Sequence, residues 1–374
     1  MKATVSKKDL LRVLARCQAV ADKKSTLPVL ANVLIETVGT DQIRLAATDL
    51  YLAVSGTVPA QVDAAGSVAV PARDLFDRVR MMPEGQIAIS VADNSATTIR
   101  AVGAARRFTI HGIPGDEFPN LPEPDDGAAV LDLEAATLAD LIASTQFSIS
   151  ADETRLHLNS ALFNWYGNRV RMVTTDGRRL SKREIDVDEC DAKAEMLIPL
   201  RGIAELKRLC DDAKDDGSIA MSQSGAFAFF DLAGFRFVVK LVDGQFPPYQ
   251  QVIPETSAHM VRAPRAQLAD ALRAVSVSAN DRTGGVRLSL SSGKMRLDSE
   301  SPESGEGSDE VPVDYSGPDA VVGLNAHYLL DVLGAMTDDE IEIGMGGELD
   351  PIVVRPAETS DTADYLSVVM PMRI

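Results

Sequence analysis

Carboxylates are the only chemistry-bearing side chains that this chain holds in number and at close spacing, 55 Asp and Glu against 37 Lys and Arg over 374 residues. Two runs, Asp211-Asp212-Ala213-Lys214-Asp215-Asp216 and Thr337-Asp338-Asp339-Glu340, have the density to hold a divalent metal or support acid/base work. Each follows a helical pattern and precedes a strand-like run, where solvated turn residues are expected. Asp49 and Asp176 are better candidates because they recur in one context, Ala47-Thr48-Asp49-Leu50 and Thr174-Thr175-Asp176-Gly177. That context fits a structural Asx turn at a strand end equally well. The four histidines, at 111, 157, 259 and 327, include no i, i+4 pair, so a metal set has no foothold. Cys17, Cys190 and Cys210 show no Cys-x-x-Cys spacing, and Cys17 and Cys210 read as core residues of helices in a reducing compartment. A phosphate-cradling glycine loop and a Gly-x-Ser-x-Gly elbow are both absent from the sequence. The expectation is a protein without catalytic residues, metal or cofactor.

The elements that would position these residues repeat three times. Amphipathic helical stretches at Leu10 to Val20, Leu138 to Phe147 and Leu268 to Val277 each precede paired strand-like runs. Those runs close on the two Thr-Asp signatures, and in the third copy on Leu297-Asp298-Ser299. A second helix follows in each copy, Pro71 to Met82, Pro199 to Asp211 and Asn325 to Met336. Phe118-Pro119-Asn120-Leu121 is echoed by Phe246-Pro247-Pro248-Tyr249. Pro-rich, acidic stretches at Leu121 to Gly127 and Pro254 to Ser257 read as linkers. The predicted domains are 1–125, 126–255 and 256–374. No apolar run approaches a membrane span and the first residues lack a signal h-region, which places the chain in the cytoplasm with no membrane partner.

A net charge of −18 argues on its face against a nucleic-acid partner. The placement of the basic residues reverses that reading. Lys8, Arg12 and Arg16 recur every four residues, on one helical face. Arg73 with Arg80 and Arg201 with Arg208 stand seven apart, and Arg265 and Arg273 lie on a further helix. Any single such helix could simply present a solvated face; recurrence in all three copies favours a common positive surface. The C-terminus is also unusual. Tyr365 to Met370 can form a final strand, while Pro371 cannot donate to a ladder and lifts the remaining residues away. Met370, Met372 and Ile374 would then line an adaptable apolar surface.

With Thr-Leu-Pro-Val-Leu (26–30), Ala-Thr-Asp-Leu (47–50), Val-Pro-Ala-Arg (70–73), Thr-Asp-Gly-Arg-Arg-Leu (175–180), Lys-Leu-Val-Asp-Gly-Gln-Phe-Pro-Pro-Tyr (240–249) and the terminal Val-Val-Met-Pro-Met-Arg-Ile in order along its full length, the chain resembles the beta sliding clamp family. Those proteins are the processivity subunits of bacterial DNA polymerase III. The resemblance implies an α+β fold of three tandem DNA-clamp domains, with helices on one face of antiparallel sheets, and a head-to-tail homodimeric ring. Duplex DNA would thread the ring without base readout.

The same resemblance implies the sites. A partner-peptide pocket would comprise Leu158, Thr175, Gly177, Arg178, Arg179, Leu180, Pro247, Val252, Val368, Val369 and Met370. Its adjoining groove would hold Asn325, Tyr328, Leu349, Pro351, Pro371, Met372 and Arg373. Lys8, Arg12, Arg16, Lys24, Arg73, Arg80, Arg201, Arg208 and Arg265 would face DNA. The dimer would join Arg106, Arg107, Phe108 and Ile110 of one chain to Val277, Glu303 and Glu306 of another, positive against negative. Partners implied are the replicative polymerase alpha subunit, the clamp-loader delta subunit, translesion and repair polymerases, ligase and mismatch-repair proteins, in a nucleoid-associated bacterial setting. Gln250, Gln251 and Thr283 depart from the family pattern and imply altered peptide preference. Two other classes compete with this reading, a carboxylate metalloenzyme using Asp49 or Asp176 and a peptide-binding scaffold with no DNA role.

Overall fold

The computed structural model describes residues 1–22, 24–213, 217–280, 283–358 and 363–373. Lys23, the 214–216 part of the acidic run and Ile374 therefore lie outside the described residues, as does the Cys190 side chain.

The first copy runs β1 (Lys2–Ser6), α1 (Lys7–Val20), β2 (Asn32–Val38), β3 (Gln42–Thr48), β4 (Leu52–Ala64), β5 (Ser67–Pro71), α2 (Ala72–Arg80), β6 (Gln86–Val91), β7 (Ala96–Ala101), β8 (Arg107–His111) and the short β9 (Ile113–Pro114). The second runs β10 (Val130–Glu134), α3 (Ala135–Ala143), β11 (Ser160–Thr175), β12 (Arg179–Pro199), α4 (Leu200–Asp212), β13 (Ser218–Ser224), β14 (Phe227–Leu232) and β15 (Phe235–Lys240). The third runs β16 (His259–Pro264), α5 (Arg265–Ser276), β17 (Gly285–Ser291), β18 (Lys294–Ser301), β19 (Gly305–Pro312), β20 (Ala320–Asn325), α6 (Ala326–Ala335), β21 (Glu340–Met345), β22 (Ile352–Pro356) and β23 (Ala363–Val369). Each of the six α-helices among the described residues coincides with one predicted from apolar periodicity. In α1, Leu10, Val13, Leu14, Cys17 and Val20 are buried at spacings of three and four, which is the core-facing stripe of an amphipathic helix.

Backbone packing divides the chain into two compact units, Met1–Ala135 with Asp212–Leu241, and Ala136–Asp211 with the residues from Val242 onward. In the first, the main path of an antiparallel sheet is β10-β13-β14-β15-β4-β1-β6-β7-β8. The second holds one sheet ordered β11-β12-β23-β22-β21-β16 and another ordered β19-β18-β17-β20.

One joint is built twice. In the first unit β15 pairs antiparallel with β4, from Phe235↔Gly56 to Val239↔Leu52, and the Lys240 N–H extends the ladder to the Tyr51 carbonyl at 2.7 Å. In the second, β23 pairs antiparallel with β12, from Ala363↔Ile185 to Val369↔Arg179, and the Met370 N–H extends it to the Arg178 carbonyl at 2.8 Å. In both cases the last strand of one copy completes the hairpin strand of the copy before it. The strands left over by this scheme, β8 and β19, each end their own sheet. Gly56 packs under side chains at the first joint, where a Cβ would lie 3.0 Å from the Phe235 ring and 3.1 Å from Val13, so a larger residue would have to push these neighbours aside.

The Thr-Asp signatures are hairpin turns. Asp49 Oδ1 accepts from the Tyr51 and Leu52 N–H groups at 2.9 and 2.6 Å, and Asp176 Oδ1 accepts from Arg178 and Arg179 at 2.8 and 3.0 Å. The preceding hydroxyl does the same one step earlier, Thr48 Oγ1 accepting from Leu50 and Thr175 Oγ1 from Gly177. The third copy corrects the sequence reading. Leu297-Asp298-Ser299 lies inside β18, and the equivalent turn is Ser301-Pro302-Glu303, where Ser301 Oγ accepts from the Glu303 N–H at 3.3 Å. The hydroxyl, rather than the carboxylate, is what all three copies share.

Among the described residues no helix is long and apolar enough to cross a membrane, and no group of three or more His, Cys, Asp or Glu could hold a metal ion.

Candidate functional site

The residues expected to form a peptide pocket all belong to one compact unit, where Leu180 and Val368 lie in one buried apolar cluster while Val369 lies in a second and Tyr328 packs against it. Leu180 and Val368 pair across β12 and β23. They are buried in a cluster with Leu162, Val173, Tyr249 and Val353. The Thr175 turn leads into β12 and Leu180. Gly177 takes a φ of +88° there, a region that costs an L side chain roughly 1–2 kcal/mol. Leu158 is buried behind it, Pro247 is half-buried and Val252 is exposed.

The tail runs on from β23 toward β20. β23 ends at Val369, Met370 is anchored on Arg178, and the Met372 N–H donates to the Gly323 carbonyl of β20 at 2.8 Å. Pro371 thus steps the chain from one sheet to the other, leaving Met370 and Arg373 exposed with Met372 half-buried. Asn325 caps α6, its Oδ1 accepting from the His327 N–H at 2.9 Å while its Nδ2 donates to the Thr283 carbonyl. Tyr328 follows one turn in, its hydroxyl 3.4 Å from Arg178 Nη1. Pro351 is half-buried, and Leu349 is exposed.

Arg179 ties the Thr175 turn to α6. Its guanidinium carbon lies 4.7 Å from the Tyr328 ring centre and 5.5 Å from that of Phe147, and it pairs with Asp176 and Asp331. Phe147, Asp331, Tyr249 and Arg155, whose Nη2 lies 3.5 Å from a Cβ built at Gly177, were missed at the sequence level. Only the recurrence of Phe-Pro-Pro-Tyr signalled any of them.

The basic residues divide by environment. Lys8, Arg12, Lys24, Arg73, Arg80, Arg201 and Arg208 are exposed. Arg12 lies over the Phe235 ring at 4.8 Å and donates to the Ala233 carbonyl. Arg73 and Arg80 share Asp77 at 3.5 and 3.9 Å, and Arg208 pairs with Glu205; such exposed pairs are weak and exchangeable. Arg16 is half-buried against Asp212. Arg265 spends its guanidinium on the Asp338 and Leu333 carbonyls at 2.6 and 3.3 Å, closing the end of α6.

At the two sheet-ending strands, Arg107 is exposed, Phe108 is half-buried and Ile110 packs into the core of its own unit. Arg106, just before β8, donates to the Met81 carbonyl. Val277 is 79% exposed, an unusual setting for an aliphatic side chain, and Glu303 just before β19 and Glu306 within it are exposed.

Comparison with known proteins agrees along the whole length. Models of the DNA polymerase III beta subunit match residues 1–122 as its N-terminal domain, 132–248 as its central domain and 250–373 as its C-terminal domain. The beta sliding clamp of Pseudomonas putida is 32% identical over 376 residues, covering 100% of both chains. The crystal structure of the DNA polymerase III subunit beta from Pseudomonas aeruginosa superposes with a TM-score of 0.93 at 31% identity, again over 100% of both chains. A structure of the Pseudomonas aeruginosa clamp bound to griselimycin gives a TM-score of 0.92 at 32% identity and the same coverage. With its three repeated domains, its hairpin joints and this full-length similarity, the chain belongs to the DNA polymerase III beta subunit family, the beta sliding clamps.

Proposed function

We propose that this chain, a non-catalytic processivity factor of DNA polymerase III by family, closes with a second copy into a head-to-tail ring around duplex DNA. The observation that carries the reading is the joint made twice within the chain, β15 on β4 and β23 on β12. By the same scheme β8 of one copy completes β19 of another, and a head-to-tail joint that closes by rotation gives a ring. Pairing also covers two strand edges that would otherwise invite aggregation. Val277 and the Glu303 to Glu306 segment would meet Arg106, Arg107 and Phe108 there, with domains of 1–125, 126–255 and 256–374.

Exposed lysines and arginines of α1, α2 and α4 would neutralise phosphates without reading bases, so binding would be independent of sequence and sensitive to salt. Weak contacts of this kind permit sliding.

The floor of Leu180 and Val368, walled by the Thr175 turn and overhung by Met370 and Met372, would take short apolar peptides from the polymerase alpha subunit, the clamp-loader delta subunit and other replication and repair proteins. Burial of roughly 300–400 Å² of apolar surface is worth about 8–10 kcal/mol gross. Ordering the peptide consumes much of it, leaving an affinity on the order of micromolar, which allows partners to exchange.

The test is topological. The protein is loaded onto a nicked circle with a clamp loader and ATP, freed of unbound protein in high salt, and the circle is then cut. Retention on the circle and loss on cutting is the expected result. Equal retention on both forms, or none on either, overturns the ring and leaves a peptide-binding scaffold.

A further inference from the structure

Behind the peptide pocket, on the sheet face that carries Leu180, a buried acid is held by two arginines. Arg171 of β11 stands directly opposite Glu184 of β12, and the Glu184 side chain is only 6% exposed. Its Oε2 accepts from Arg171 Nε, and its Oε1 accepts from Arg169 Nη1 at 2.7 Å. The rest of the Arg171 guanidinium is directed outward from that pair. Nη1 donates to the Tyr249 hydroxyl at 2.9 Å and Nη2 to the Tyr166 hydroxyl at 2.8 Å.

Tyr249 is the link to the pocket. Its ring is buried in the cluster that contains Leu180 and Val368, and its backbone N–H donates to the Pro247 carbonyl at 2.7 Å. It opens the single helical turn Tyr249–Val252, so Pro247 and Val252, two of the pocket residues, flank it in the chain. Apart from the packing of that ring, the described polar contact reaching its side chain is the one from Arg171.

We propose that Glu184, through Arg171, is a positioning device that fixes Tyr249 and thereby the Pro247 and Val252 wall of the peptide pocket. The inference rests on the pocket reading above. Its physical basis is that a planar guanidinium, locked by a carboxylate on one edge, can offer its remaining N–H groups in only one direction. A buried carboxylate whose two oxygens accept from two different arginines has one favoured geometry, since turning it would break both charge-assisted hydrogen bonds. Preorganising the wall removes ordering cost from peptide binding.

The test is a double-mutant cycle read by peptide affinity. A fluorescein-labelled pentapeptide with an N-terminal glutamine and a C-terminal Leu-Phe pair is titrated against the full-length protein and its Tyr249→Phe, Glu184→Gln and doubly substituted forms. Tyr249→Phe keeps the ring and removes the hydroxyl, so it leaves the apolar cluster filled. Each single change is expected to weaken binding about tenfold, or about 1.4 kcal/mol, chiefly through faster dissociation, and the double change no more than either alone. Folded Tyr249→Phe protein that binds within twofold of the parent overturns the proposal, as do fully additive single effects. Should Glu184→Gln fail to fold, Tyr249→Phe decides alone. Met372→Ala is the control for the pocket itself. If the parent fails to bind the probe, or Met372→Ala binds it unchanged, the pocket reading falls and this inference with it.

Discussion

Leu50 and Gly177 occupy the same step of the same hairpin turn in successive repeats, and both carry positive φ, +74° and +88°. Each donates its N–H to the threonine hydroxyl two residues back. The left-handed region costs an L residue roughly 1–2 kcal/mol, while glycine adds flexibility to the unfolded chain at a cost of roughly 0.5–1 kcal/mol. Leu50→Gly should therefore stay within about 1 kcal/mol of the parent in denaturant unfolding. Gly177→Ala should lose about 1–2 kcal/mol and weaken peptide binding, because its new methyl faces Arg155.

A chain of buried hydroxyls links Ser148 to β12 and β23. Ser181 Oγ lies 2.8 Å from Ser148 Oγ and 2.9 Å from Ser367 Oγ, and Ser367 in turn donates to the Tyr365 hydroxyl at 3.1 Å. Burial pushes the Tyr365 phenol up to about 12. Ser181→Ala leaves two buried hydroxyls short of a partner and should cost about 1–3 kcal/mol, measured as a lower denaturation midpoint at unchanged m-value.

Leu180 is buried to 2% exposure, whereas Met372 is half-buried on the tail. Leu180→Ala should lose about 2–5 kcal/mol of stability through the cavity it leaves, together with peptide binding. Met372→Ala should lose binding with the melting temperature nearly intact. Calorimetric titration beside thermal unfolding separates the two.

Charge reversal at Arg12, Arg73 and Arg201 should weaken clamp retention on DNA and processive synthesis while sparing peptide affinity. If all three neutralise phosphates, the slope of log K against log salt should shrink by about 2.7, at roughly 0.9 per contact. An unchanged slope assigns these side chains to solvated helix faces.

Burial pushes the Cys17 thiol from 9.0 up to about 12. The unfolded chain ionises this thiol first, so its contribution to stability is complete below about 9 and is lost as pH rises toward 12. At pH 8 iodoacetamide should leave Cys17 unmodified in the folded protein and label it readily in denaturant, as peptide mapping by mass spectrometry would report.

Local patterns were the legible part of this chain. The 3.6-residue apolar stripe located all six α-helices of the described residues, and Thr-Asp located two hairpin turns. The third turn was misplaced by a search for aspartate, when the physical requirement is a hydroxyl that accepts the next-but-one N–H, as Ser301 does. The expected basic face included Arg265, whose first-turn position in α5 brings its guanidinium onto carbonyls at the end of α6; no periodicity carries that information. The contacts of Arg171 with Glu184 and Tyr249 were invisible for a related reason. They form only because β11 folds back on β12 and a segment 78 residues along from Arg171 returns to it. Register across long separations is set by the whole fold, so a linear reading sees the strands without their partners.

The two hairpin joints inside the chain differ from the proposed third in one respect, covalent attachment. Strands tethered by a linker meet at an effective concentration on the order of millimolar, so β15 on β4 and β23 on β12 re-form faster than they can drift apart. A joint of β8 with β19 between two copies would have no such tether, so its first closure would depend on how much protein the cell holds. A ring built from two copies of this chain would have its weak seams where one polypeptide meets the next, and with one seam closed the other would re-form within the same assembly, so a machine that opens it must hold the two edges apart.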